Sequence, residues 1–109
     1  MKRIGILLAV VLTARMGVID FNGHTETWYD LPMTKVVQRA QNVGIPCEYW
    51  VDERGVKRFG QWVIVAAHPS VTRYTRLQTS LGEGIVLDYH TVYDQPNLYD
   101  IATTWKGGK

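Results

Sequence analysis

The sequence predicts a mainly β domain, a small barrel of six short strands carrying one helix. Three observations lead there. Beyond residue 46 the apolar residues fall in runs of strand length, each bounded by Gly, Pro, Asn or Asp. Only one stretch, KVVQRAQNV, repeats its apolar residues with helical spacing. The 109 residues, 46% hydrophobic and 20% charged, suit one globular domain with one core. Short strands with a single helix favour a small β-barrel over a parallel α/β sheet.

The elements follow in chain order. MKRIGILLAVVLTA has the form of an export signal: Lys2 and Arg3, an apolar run from Ile4 to Leu12, then the small residues Thr13 and Ala14. The run is too short to span a bilayer, so residues 1–14 are expected to be a cleavable leader and 15–109 the domain. Residues 15–33 read as irregular, with a turn at Asp30-Leu31-Pro32-Met33. The helix is expected over about residues 34–43, with Thr34 as N-cap, Val36, Val37, Ala40 and Val43 on one face, and Gly44 then Pro46 ending it.

After the helix the pattern is β. CEYWV and VKRFG are joined by Asp52-Glu53-Arg54-Gly55, a hairpin signal with glycine at the expected left-handed position. QWVIVAA is nearly all apolar, hence a strand buried on both faces, and His68-Pro69-Ser70 breaks it. TRLQTSL alternates, Gly82-Glu83-Gly84 reads as a tight turn, and GIVLD and LYDIATTW are the last two strands.

Composition excludes some functions. The net charge of +2 resides in Lys2 and Arg3, so the body is neutral and lacks the basic surplus that nucleic acid demands. Cys47 is the single cysteine, which rules out an internal disulfide and a cysteine-rich metal site. His68, Asp88 and His90 are of mixed type and loose spacing, a weak metal signal, and neither metal nor cofactor is expected. Four Trp and six Tyr are many for this length; Trp50, Trp62, Trp105, Tyr89 and Tyr93 are the candidates for stacking on sugar faces.

The order of segments from Val63 onward resembles a known family. The pieces are Ala66-Ala67-His68-Pro69, the strand within Val71 to Ser80, Gly84-Ile85-Val86-Leu87-Asp88, and Tyr99-Asp100-Ile101. They are similar to the A-V-D-P element, the following strand, the glycine-led run ending in aspartate and the final aspartate strand of the double-psi β-barrel. That barrel is shared by the 3D domain and the MltA-type lytic transglycosylases. Two elements depart: His68 stands in place of the first family aspartate, and Asp88-Tyr89-His90-Thr91-Val92-Tyr93 replaces a glycine-rich loop.

The resemblance implies a six-stranded double-psi barrel that cleaves the β-1,4 bond between N-acetylmuramic acid and N-acetylglucosamine in peptidoglycan. The product is a 1,6-anhydro sugar, and the setting is a bacterial or phage-associated exported protein at the cell wall. By residue, it implies Asp100 as the general acid and base and Asp88 as its neighbour. Thr27 and Tyr29 are candidates for the Thr and Tyr of the family's cleft, and His68, Tyr89 and His90, at the departing positions, are the further candidate substrate contacts. This chemistry uses one carboxyl group that protonates the leaving oxygen and then takes the proton of the sugar's C6 hydroxyl, with no attacking water. Two plainer roles stand beside it. Aspartates at strand ends accept turn amides, and the same barrel can serve as a non-catalytic glycan-binding or structural module.

Overall fold

The computed structural model describes residues 18–105, so the expected leader at 1–14 lies outside the described residues. Within them the chain is mainly β with one helix. The elements are β1 (Ile19–Phe21), β2 (His24–Tyr29), α1 (Thr34–Asn42), β3 (Tyr49–Val51), β4 (Lys57–Phe59), β5 (Trp62–Ala67), β6 (Arg76–Thr79), β7 (Gly82–Tyr89) and β8 (Leu98–Ala102). Eight strands thus replace the six expected. The two extra ones, β1 and β2, lie in the segment that reads as irregular. Asn22 and Gly23 join them with φ of 49° and 82°, the paired positive values of a two-residue hairpin turn.

β5 is the hub of the sheet. Val63 pairs with both β4 and β7, and Ala66 with both β7 and β8, so β4 and β8 share one edge of β5 and β7 takes the other. β5 and β7 run parallel, as do β8 and β2, while β8 is antiparallel to β5. β1 extends the sheet from β2, β6 from β7, and β3 from β4. Among the described residues the strand pairings run from β1 to β3 without a bond that joins those two ends. Glu26 on β2 instead reaches the turn after β6, accepting from the Ser80 amide at 3.0 Å and the Ser80 hydroxyl at 2.6 Å.

Each face of the sheet buries its own core. On one, Ile64, Ala66, Ile85, Leu87 and Ala102 pack with Tyr29 and Phe59 under α1, which presents Val36, Val37 and Ala40. On the other, Ile19, Trp28, Val56, Val63, Val65 and Ile101 pack together. β5 is buried from Val63 to Ala67 because its alternate residues feed both cores.

The helix starts differently from the expectation. Met33 is the N-cap, no side-chain cap bond forms, and Thr34 is the first helical residue. The buried Met33 side chain, 3% exposed, fixes the entry of the chain by packing rather than by capping. The end agrees with the sequence: Gly44 has φ 106°, its amide bonds to Gln41 and the Ile45 amide reaches back to Ala40, a Schellman closure. A second difference lies at the β6–β7 hairpin. The turn falls on Ser80-Leu81, and Gly82-Glu83-Gly84 is already strand. Gly84 is needed there for proximity, since a Cβ would lie 2.9 Å from Val65 Cγ2.

Candidate functional site

The registers on both sides of β5 align one lateral row. Ala66 pairs with Asp88 of β7 on one edge and with Asp100 of β8 on the other, and Asp100 pairs in turn with Thr27 of β2. Directly paired residues share a face, so Asp88, Ala66, Asp100 and Thr27 all lie on the helix side. Tyr29, two residues beyond Thr27, lies on it too.

Asp88 reaches this face because of a bulge. Val65 pairs with Val86, but Ala66 pairs with Asp88, leaving Leu87 as an extra residue on β7. Strict alternation from Val86 would have sent Asp88 to the opposite face, away from Asp100. The bulge restores it to the Asp100 side, the kind of re-aiming for which strands use bulges. The two Cα atoms are two strand spacings apart, roughly 10 Å, with only the methyl group of Ala66 between them.

Within the row, Asp100 is 4% exposed and its Oδ1 accepts from the Thr27 hydroxyl at 2.8 Å. Asp88 is half-buried and its Oδ1 accepts from the Tyr89 amide at 2.9 Å. Tyr29 is 7% exposed and its hydroxyl has no hydrogen-bond partner among the described residues. Burial, then the charges of Asp88 and Asp100, push the Tyr29 hydroxyl far above its ordinary range, which keeps it protonated. Two carboxyl groups thus act on one buried donor whose hydrogen is uncommitted. Chemically, the set offers one phenol donor and two carboxyl groups on a single face, the kinds of group that bind hydroxyls and exchange protons.

The other three predicted contacts are committed to the backbone of the neighbouring loops. His68 Nδ1 accepts from the Ser70 amide and its Nε2 donates to the Tyr93 carbonyl. His90, buried, accepts from the Val92 amide at Nδ1 and donates through Nε2 to the Leu98 carbonyl. The two rings pack edge to face with centroids 6.0 Å apart. The Tyr89 hydroxyl donates to the Val71 carbonyl, with Arg73 over its ring. These residues brace the loop between β7 and β8.

Among the stacking candidates, Trp50 and Tyr93 are exposed. Trp62 and Trp105 are half-buried, Trp105 packing against Trp28 and donating to the Arg54 carbonyl. Two cavities lie nearby, neither lined by Asp88 or Asp100, the first touching the row at Thr27. One of about 10 Å³ touches Trp28, Leu81 and Trp105, and one of about 260 Å³ lies between α1 and Tyr49. Among the described residues no group of three His, Cys, Asp or Glu is placed to hold a metal ion, and no helix is long and apolar enough to cross a membrane.

Sequence reasoning singled out Asp88, Asp100, Thr27 and Tyr29 but not the bulge that aligns them. Nothing in Gly84-Ile85-Val86-Leu87-Asp88 marks Leu87 as the extra residue. Comparison with family models, curated proteins and solved structures finds no match for the chain.

Proposed function

We propose that the protein is a peptidoglycan lytic transglycosylase-like enzyme that cleaves the N-acetylmuramic acid–N-acetylglucosamine bond with Asp100 as general acid and base. The observation that carries this is the row Asp88–Ala66–Asp100–Thr27, with the unpartnered Tyr29 hydroxyl beside it. A 1,6-anhydro product needs one carboxyl group that gives a proton to the leaving oxygen and accepts one from the C6 hydroxyl. Asp100 supplies that group, and the bond from Thr27 fixes its rotation. Asp88 lies on the same face, across Ala66 from Asp100. Tyr29 is the donor for a sugar hydroxyl. The setting that goes with this chemistry is the cell wall, in a bacterial or phage-associated exported protein.

One observation favours a second role. Asp100 is only 4% exposed, which suits a non-catalytic glycan-binding or structural module whose carboxyl row is part of the packing. Digestion of purified peptidoglycan followed by mass analysis separates the two. The enzyme releases anhydro-muropeptides, and Asp100→Asn lowers that release about 10²–10⁴-fold while sedimentation with the wall persists. Release that is absent from the wild type, or unchanged in Asp100→Asn, overturns the catalytic assignment.

A further inference from the structure

β3 is one of three strands at an open edge among the described residues, with β1 and β6, and it pairs with β4 alone. Its three residues, Tyr49, Trp50 and Val51, are apolar or aromatic, and all are exposed, at 39%, 47% and 42%. No lysine, proline or bulge guards this edge, unlike the usual treatment of an exposed strand.

The hydrogen-bond parity of the edge can be read from its ends. The Gly60 amide bonds to the Glu48 carbonyl and the Asp52 amide to the Val56 carbonyl. Bonded and non-bonded pairs alternate in an antiparallel ladder. Trp50 therefore spends its amide and carbonyl on Arg58, while those of Tyr49 and Val51 point outward.

We infer that a second copy of this chain pairs with β3 across a two-fold axis at Trp50. In that register Tyr49 faces Val51 of the other copy, and both outward amide–carbonyl pairs are satisfied twice over, giving four main-chain bonds. Trp50 meets Trp50 at the closer, non-bonded position, and Tyr49 packs on a β-branched residue, a favourable cross-strand pair.

Charge agrees with the same register. Glu48 comes opposite Asp52 of the other copy, but Asp52 carries Arg58 at 2.8 Å and Arg54 at 3.6 Å. Glu48 thus faces a knot of net positive charge, and the arrangement repeats on the other side of the axis. Three-residue edges bury less than the roughly 1,200 Å² of a stable complex, so the association is reversible and concentration-dependent.

Sedimentation equilibrium of the full chain, taken to about 1 mM, tests this pairing. A monomer–dimer equilibrium is expected, abolished by Val51→Lys. Glu48→Arg alone and Arg54→Glu alone each weaken it about tenfold or more. An equimolar mixture of those two variants recovers it. In the mixed pair the two introduced side chains meet each other with opposite charge, and the native Glu48 and Arg54 meet across the axis. A single cooperative thermal transition in each variant shows that the fold is retained. A wild type that stays monomeric overturns the proposal, as does a dimer indifferent to Val51→Lys or a mixture that fails to recover. Capture of a synthetic strand peptide by a monomeric wild type overturns it in favour of a foreign strand.

Discussion

Tyr29 is a residue whose local energy and proposed use pull in opposite directions. Its hydroxyl is buried without a partner among the described residues, a state that costs about 1–3 kcal/mol. Tyr29→Phe removes the orphan atom and is expected to raise stability by about 1 kcal/mol in urea unfolding, while lowering release of anhydro-muropeptides. A drop in stability would mean that the hydroxyl has a structural bond. The same group sets an alkaline limit. Its folded pKa lies above the unfolded value, so its contribution is complete below about pH 10 and is lost as pH rises beyond it. Wild type is expected to lose stability faster than Tyr29→Phe on that limb. Thr27 belongs to the same row, and Thr27→Val is expected to slow product release while leaving wall binding intact.

Among the elements, the β3–β4 hairpin shows how one turn ties several parts together. Asp52 Oδ1 accepts the Arg54 and Val56 amides, and Oδ2 accepts Arg58 Nε. Burial alone would raise the Asp52 carboxyl. The Arg58 bond, the two amides and the Arg54 charge outweigh it and hold the group below its ordinary range. Its stabilisation is therefore present above about pH 4 and fades as pH falls further; Asp52→Asn is expected to flatten that acid limb in thermal unfolding. Gly55 closes the turn at φ 82°, and a Cβ there would sit 2.5 Å from Thr104 Oγ1. Gly55→Ala combines backbone strain with a clash and is expected to cost about 2 kcal/mol in urea unfolding. The glycine and its turn are visible in Asp52-Glu53-Arg54-Gly55. The clash is not, because Thr104 is 49 positions away.

At the scale of the whole molecule, Glu26 links the two arms of the sheet that the backbone leaves apart. It is 2% exposed and bonded to Ser80 and to His24 at 2.7 Å. Glu26→Ala leaves the Ser80 amide without its acceptor and is expected to cost about 3 kcal/mol, with faster hydrogen exchange concentrated in the β6–β7 hairpin. An even rise across the sheet would show that the clasp is incidental. The sequence by itself determined the mainly β class, the helix and its Gly44 end, the two-sided burial of β5 and the Asp52–Gly55 turn, since each follows from local periodicity and backbone preference. The Asn22-Gly23 turn was equally local, and it marked the β1–β2 hairpin within residues that read as irregular. Only the tertiary structure decided that Leu87 bulges, that Asp88 and Asp100 flank Ala66 on one face, and that His68, Tyr89 and His90 brace a loop. Those are matters of register between strands distant in sequence, and register is set by the packing of both cores at once, which no single segment encodes.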